Sequence, residues 1–413
     1  MIFRTDSLRL WLALAARNVL RQRGRTAMTL AAIACGAMGL IASGGFVADL
    51  LVQFREAIIH SQTGHIQFAR KGFFSSGSRS PDQYVITEPG RIAAQLDADP
   101  RVADVMARIT FAGLLNNGRT DLPVLGVGVE PAKEARLGTR LMLARGRALT
   151  DQDATGMMVG RELAHALRLD IGDQATLVAT TAGGAMNTVE LVVIGIFQTF
   201  SRDYDARAVR LPLAAAQELL GTRGANTLTV SLKRSEDTAM VADATREWAS
   251  SEQLDLRTWN ELSEFYEKTV DLYARQFGVL RIIILVMVLL GVANSVNISL
   301  LERIAEFGTM RAMGNRARDL HRLLLFEATI LALIGATIGV IAGCALALGV
   351  SAIGIQMPPP PNSELGYVAR ISLALSEIIA AFLIVAVATL LAYVPATLRV
   401  ARIPVVDALR HSH

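Results

Sequence analysis

Apolar residues gather into four blocks, from about Ala27 to Leu51, Val279 to Leu301, Leu323 to Ile353 and Leu373 to Val394. Each block meets or exceeds the roughly 20 residues that carry an α-helix across a bilayer. Between the first two, from Gln53 to about Asp271, lie about 220 residues with no run long enough to span. Shorter periods replace the blocks there. Helices are expected at 90–96, 162–167 and 236–250, and strands at 102–115, 122–129, 175–180, 188–197 and 227–232. Asn117-Gly118 between two apolar runs is a hairpin signal. The expected fold is four transmembrane helices with a large α+β domain, big enough for its own core, inserted between helices 1 and 2.

The patterns at the block edges add detail. Trp259, Leu262, Tyr266, Val270, Tyr273 and Phe277 step by three or four and run into the second block with no Gly or Pro between them. Leu50, Phe54 and Ile58 extend the first block in the same way. Two continuous helices are therefore expected to leave the membrane as a stalk. Gly335, Gly339 and Gly343 repeat every fourth residue on one face of the third block, the pattern of a close helix–helix seam. The first block is rich in small residues at Gly36, Gly39, Ser43, Gly44 and Gly45. Ahead of it, residues 8–25 place Leu8, Trp11, Leu12, Ala15 and Val19 on one face and Arg on the other, as in an interfacial helix. Six Arg spread through the first 25 residues argue against a cleaved signal peptide. Pro358 to Pro361 end the third block firmly.

Charge then sets the orientation. Of the 41 basic residues only four are Lys, and all four fall between Gln53 and Asp271. Arg concentrates in the N-terminal segment, in the loop between the second and third blocks and in the C-terminal tail. The segment 356–370 has only Arg370. Both ends are thus expected in the cytoplasm and the inserted domain outside. Cys35 and Cys344 lie inside the apolar blocks, so no disulfide is expected in the domain. The six His form no ligand spacing, so no metal is expected. No basic run with interleaved aromatics points to nucleic acid. No Gly-x-Ser-x-Gly elbow frames a nucleophile. Asp49, Arg281, Glu327 and Glu377 sit towards block ends, which argues against an ion-coupled carrier. No Gly-Lys dipeptide occurs, so the chain has no P-loop.

The loop Leu301–Arg322, LERIAEFGTMRAMGNRARDLHR, is basic, free of Pro and apolar at Ile304, Phe307, Met310 and Met313, as in a short amphipathic helix. Its order Glu302-Arg303, Glu306-Phe307-Gly308, Arg311-Ala312-Met313-Gly314 resembles the ER-x-x-EIG-x-x-RA-x-G signature of the permease family that holds LolC, LolE, MacB and FtsX. Ala305 and Asn315 stand where that family usually has Arg and Ala. The ending with Pro395, Ala401, Pro404, Ala408 and Leu409 is similar to the family's tail, and ARNVLRQRGRTAMTLAAIACG to its N-terminal signature. Ser43-Gly44-Gly45-Phe46 followed by Gly64-His65-Ile66 partly resembles the lipoprotein-releasing branch.

The resemblance implies the permease subunit of an ATP-driven ABC transporter of the mechanotransmission type. Its divisions would be 1–26 (cytoplasmic amphipathic helix), 27–52, 279–301, 323–353 and 373–396 (transmembrane helices), 53–271 (periplasmic domain with porter-like and β-rich parts), 302–322 (coupling helix), 354–372 (external loop) and 397–413 (cytoplasmic tail). Glu302, Arg303, Glu306, Phe307, Gly308, Arg311 and Gly314 would contact an ATPase subunit. ATP and Mg2+ would bind there, with none on this chain, which would be no enzyme by itself. Two ATPases, a second permease in a homo- or heterodimer and a periplasmic chaperone or adaptor are the implied partners. Met38, Phe46, Leu50 and Phe277 are candidates for a substrate path. Since no ATPase is fused to it, the chain looks closest to the lipoprotein-releasing branch of the inner membrane, with a lipoprotein or lipid-like substrate. The alternatives are a MacB-like drug or peptide efflux permease and an FtsX-like signalling component.

Overall fold

Among the described residues four helices are long and apolar enough to cross a membrane: Arg23–Thr63, Tyr266–Glu302, Ala317–Ile353 and Leu375–Leu398. The computed structural model describes residues 13–21, 23–76, 84–137, 142–181, 183–199, 201–358 and 367–402. The interfacial helix expected from residue 8, the Pro359–Pro361 stop and the tail motif at Pro404, Ala408 and Leu409 lie wholly or partly outside them.

In chain order the elements begin with α1 (13–21) and α2 (Arg23–Ile58), which passes through one turn of π-helix, Ile59–Thr63, into β1 (Ile66–Arg70). Then come α3 (Phe73–Ser76), α4 (Pro89–Asp97), β2 (Val102–Asn116), β3 (Asp121–Val129), α5 (Pro131–Leu137) and β4 (Met142–Gly146). The middle of the chain holds β5 (Gly156–Gly160), α6 (Arg161–Leu167), β6 (Gln174–Thr180), β7 (Met186–Gln198), α7 (Arg202–Asp205), β8 (Ala208–Pro212) and α8 (Leu213–Leu220). It continues with β9 (Thr227–Leu232), α9 (Thr238–Ser251), β10 (Leu254–Thr258) and α10 (Trp259–Leu262). The last part holds α11 (Glu264–Glu302), α12 (Ile304–Ala312), α13 (Ala317–Ile353), β11 (Ile355–Met357), β12 (Tyr367–Ala369) and α14 (Leu375–Arg402).

The chain divides into two compact units. The first joins Met1–Leu51, Val270–Gln356 and Val368–His413. Its packing is set by small residues. Gly335, Gly339 and Gly343 of α13 lie against Ile33, the Ala34–Ala37 turn and the Met38–Ile41 turn of α2. On another face of α2, Gly36 meets Val288 and Gly39 faces Ile284, both on α11. Backbones approach this closely only where no Cβ intervenes. Of the four spans α11 is the least buried. Ile282, Val286, Met287 and Leu290 on it are all exposed.

The second unit, Val52–Thr269 with Met357–Tyr367, is built on one ten-stranded sheet. Strand β2 is 15 residues long and serves two cores. Its first half pairs with β9, which pairs with β1, and β1 with β10. Phe68, Val105, Leu228 and Val230 pack there under α4 and α9, with Ile92 and Val241 from those helices. The second half pairs with both β3 and β6, and the sequence β2-β3-β8-β5-β7-β6 closes on itself as a six-stranded barrel. Leu115, Met157, Leu177, Leu191 and Val209 fill it. Within the ring every strand is paired on both sides, and β4, added to β7, forms the edge outside it.

Three expectations need correction. The stripe from Trp259 does not run unbroken into the second span. Ser263, at φ −112° and ψ 80°, separates α10 from α11, so Trp259 and Leu262 belong to a different helix. The segment 302–322 is not one helix. It holds α12, a turn at Met313–Arg316, and the first residues of α13. Gly314 sits at φ +95°, a conformation open to glycine at little cost, and so ends α12. Strands β5 and β8, both continuously buried, were absent from the expected elements. Their short sequences, GMMVG and AVRLP, show no apolar–polar alternation to read.

Candidate functional site

The loop that joins the second and third spans is held by charges drawn from five helices. Arg303, in the junction between α11 and α12, is buried with 5% of its surface exposed. Its Nη1 donates to Glu327 Oε2 of α13 at 3.0 Å and its Nε to Glu306 Oε2 of α12 at 3.1 Å. Its guanidinium also lies over the Phe307 ring, 5.1 Å from the centroid. Asn18 of α1 donates from Nδ2 to the other Glu327 oxygen at 2.7 Å. Arg21 pairs with Glu306, and Arg25 at the start of α2 pairs with Glu302 at the end of α11. Thr29 and Ser295 share a hydrogen bond between α2 and α11. A buried ion pair gains less from Coulomb attraction than bulk intuition suggests, because both ions lose their hydration. What such a network does supply is geometry: Asn18 of α1 and Arg303 of the α11–α12 junction converge on the Glu327 carboxylate of α13.

The structure separates the expected partner-contact residues into two groups. Arg303, Phe307 and Gly308 are buried against their own chain, so they cannot touch a partner in this conformation. Glu302 is exposed and Glu306 partly exposed, each in an ion pair, while Arg311 is half-buried and Gly314 is exposed. The surface presented at the turn is Ala312, Met313, Gly314, Asn315 and Arg316, with the Met313 side chain 77% exposed. Sequence reasoning missed Asn18 and Glu327 as members of this site. Glu327 was seen only as an acid towards a span end. Its pairing with Arg303, 24 positions away, follows from the fold.

Of the four substrate-path candidates, Phe46 and Phe277 are neighbours, with ring centroids 6.3 Å apart. Leu50, one turn on from Phe46 along α2, is buried at 1% exposure, and Met38 lies beside Gly343. A pocket of about 250 Å³ lies in the same unit, lined by Leu40, Ile282, Leu285, Ala381, Ile384 and the Arg281–Glu377 pair. That pair is 3.3 Å apart, and Gly44 is placed so that a Cβ there would stand 3.1 Å from both partners. An apolar pocket with one ion pair in its wall can take a hydrocarbon chain next to a charged or zwitterionic group.

A family model described as "MacB-like periplasmic core domain" matches residues 26–248, and one described as "FtsX-like permease C-terminal" matches residues 278–405. An uncharacterized ABC transporter permease of Methanocaldococcus jannaschii is 23% identical over 223 residues, covering 52% of this chain and 54% of its own length. A macrolide export ATP-binding/permease protein MacB of Rhodopseudomonas palustris is 26% identical over 291 residues, covering 66% of this chain and 42% of its own length. The lipoprotein-releasing system transmembrane protein LolE of Haemophilus influenzae is 20% identical over 270 residues, 62% of this chain and 63% of its own. The chain spans about half the length of the first two relatives. The periplasmic region of MacB from Actinobacillus actinomycetemcomitans is similar at 13% identity and a TM-score of 0.37, covering 51% of this chain and 95% of that one.

Proposed function

The chain belongs to the ABC transporter permease family marked by a MacB-like periplasmic core and an FtsX-like C-terminal region, and from that premise we propose that it passes the motion of a separate ATPase to its inserted domain. The observation that carries this reading is helix length. The 36 residues of α2 and the 39 of α11 extend about 54 and 58 Å at 1.5 Å per residue. A hydrocarbon core is about 30 Å thick, so each helix has about 20 Å or more to spare outside it. A rigid rod of that kind moves its far end when its near end is tilted. The near ends are tied by the Arg25–Glu302 pair, and α12 leads from there to the turn at Met313–Arg316.

In this reading the turn faces the cytoplasm, where Arg is concentrated, and docks on the ATPase that binds ATP and Mg2+. The chain itself hydrolyses nothing. The exposed apolar face of α11 suits a second permease in a dimer. The substrate we favour is a lipoprotein or another lipidated molecule of the inner membrane, supported by the apolar pocket beside Arg281 and Glu377. A drug or peptide exported in the manner of the MacB relatives is the second reading, supported by the span of chain those relatives match.

Detergent-solubilised full-length chain should retain an ATPase subunit on purification, and mass spectrometry identifies it together with any bound lipid. The variant Met313→Glu, altered at the exposed tip, should lose that subunit while remaining folded. Retention by the variant would move the docking surface elsewhere. Robust ATP hydrolysis by the purified chain alone, or no retained ATPase, would overturn the reading.

A further inference from the structure

The end of α2 is fastened to the inserted domain in an unusual way. Its last turn, Ile59–Thr63, is a π-helix, the rare form that leaves carbonyls displaced from the regular ladder and gathers at functional positions. Two carbonyls of that turn point at buried guanidiniums. Arg210 of β8 donates to Ser61 O, and Arg108 of β2 donates to Gln62 O. Both arginines share one carboxylate, Glu134 of α5. Arg108 Nη2 lies 2.7 Å from Glu134 Oε1 and its Nε 3.1 Å from Oε2, while Arg210 Nη1 reaches Oε1 at 2.9 Å. The three side chains are exposed by only 6%, 10% and 3% in the order Arg108, Glu134, Arg210. Burial by itself pushes the Glu134 carboxyl up, and the two guanidiniums more than reverse this and hold it below its ordinary value. A further contact ties the same helix end to the same short helix: His60 Nδ1 donates to Leu137 O of α5 at 3.1 Å.

Stability does not explain the arrangement. A buried Arg–Glu–Arg triad is costly to desolvate, and well-packed apolar side chains of similar volume commonly serve a core as well or better. What apolar side chains cannot do is hold two consecutive carbonyls at a helix C-terminus. Those carbonyls carry the negative end of the helix dipole, and a cation is their natural partner. Arg108 and Arg210 sit on two different strands of the barrel, so the helix end is fixed by two anchors rather than hinged on one.

We propose that Arg108, Glu134 and Arg210 are positioning residues that clamp the C-terminal end of α2 to the inserted domain and carry that helix's movement into it. This rests on the permease reading above. The covalent connection runs through Gly64, at φ +66°, and the clamp adds to it two side-chain anchors on the carbonyls just before that glycine.

The test uses the full-length chain in complex with its co-purified ATPase. Hydrogen exchange is followed by mass spectrometry with and without Mg-ATP plus vanadate. In the wild type, nucleotide trapping should change deuterium uptake both before Ile59 and in α5 and β8. In the triple variant Arg108→Met, Glu134→Leu, Arg210→Met, the melting temperature should stay near wild type. The nucleotide-dependent change in α5 and β8 should fall at least fivefold while the change before Ile59 remains. An undiminished change in α5 and β8 in a folded triple variant overturns the clamp. A purely structural triad would shift the melting temperature and leave the nucleotide response alone. If the triple variant does not fold, the double variant Arg108→Lys, Arg210→Lys takes its place under the same criteria. It keeps the buried charges but lacks the planar fork that reaches carboxylate and carbonyl together. No nucleotide-dependent change anywhere in the wild-type chain would instead sink the permease reading, separately from the clamp.

Discussion

Replacing Gly339 by Ala should destabilise the membrane unit, although Ala is the better helix former. A Cβ built at Gly339 would lie 2.6 Å from Ala37 Cβ, 2.7 Å from Ala34 O and 2.8 Å from Ala34 Cα. Two of the three atoms are backbone, so no rotamer change can relieve the clash and α2 and α13 must move apart. Overpacking of a tight contact costs about 1–3 kcal/mol, and the helix-propensity gain of up to about 1 kcal/mol offsets part of it. A net loss of about 1–2 kcal/mol is expected. Gly335 should follow, since its Cβ would meet Ile33 Cβ at 2.8 Å. Gly343 should be mildest, since its nearest neighbour is the movable Ile41 Cδ1 at 3.1 Å. Gly349 is the internal control, being on the same helix with nothing within 4 Å, so Gly349→Ala should be neutral or stabilising. Thermal unfolding in detergent, followed by fluorescence of the three Trp or by loss of monodisperse protein, ranks the four variants. If Gly339→Ala is as stable as Gly349→Ala, the seam between α2 and α13 is not where the structure puts it.

Glu327→Leu leaves Arg303 buried without its main partner and should cost about 3 kcal/mol, the low end for a broken buried pair because Glu306 still accepts from it. The double variant Glu327→Leu, Arg303→Leu should recover most of that in the same unfolding assay, and no recovery would mean the loss is packing rather than charge. In the inserted domain, burial pushes His65 down to about 4 from an ordinary 6.5. The unfolded chain therefore takes up a proton that the folded one refuses, and stability is full above pH 6.5 and lost as pH falls towards 4. His65→Asn should remove up to about 3 kcal/mol of this acid dependence, and an unchanged acid limb in urea titrations from pH 7 to 4 would refute it. Asp205 titrates in the opposite sense, because burial raises it to about 6, so it destabilises as pH climbs from about 4 to 6. Asp205→Asn should make the acid limb steeper.

The apolar blocks were legible because a bilayer demands length and composition, both of which are local properties. The seam glycines are legible for a similar reason: a period of four along one helix marks a face without knowing its partner. The hairpin at Asn117-Gly118 was legible in position, and the structure closes it with four residues between the paired Asn116 and Asp121. Legibility ends where meaning depends on a distant residue. Arg108 and Arg210 look like surface charges in sequence, since nothing nearby reveals Glu134 between them. Arg303 was expected at a partner contact because it falls within the signature that the resemblance assigns to the coupling helix. Only the fold turns it inward onto Glu327. Strands β5 (GMMVG) and β8 (AVRLP) were lost for a different reason: at five residues each they carry no apolar–polar alternation, whereas the equally buried β9 (TLTVSL) keeps one.

Among the described residues buried charge is scarce, and its two clusters gather around helix ends. Arg303 lies where α11 gives way to α12 and draws in Glu327 from inside α13, and Arg108, Glu134 and Arg210 lie where α2 ends. The interiors of α2, α11 and α13 are joined mainly by glycine, alanine and β-branched contacts that are close but carry no direction along the axis. The two kinds of contact answer different mechanical demands. A smooth seam such as Gly335–Gly343 resists separation yet offers little resistance to sliding by a fraction of a turn. A guanidinium bonded to a carboxylate or to a carbonyl is directional, and loses much of its energy when its donor angle is bent well away from linear. A machine whose helices must slide or tilt in their middles while keeping their ends registered would place its contacts in this way. That distribution predicts unequal responses along one helix. Substitutions at the seam should change stability, and substitutions at the charged ends should change coupling at nearly constant stability once the partner charges are removed together. If both classes lowered stability alone, with coupling intact in every folded variant, the division of labour argued from burial and hydrogen-bond geometry would be wrong.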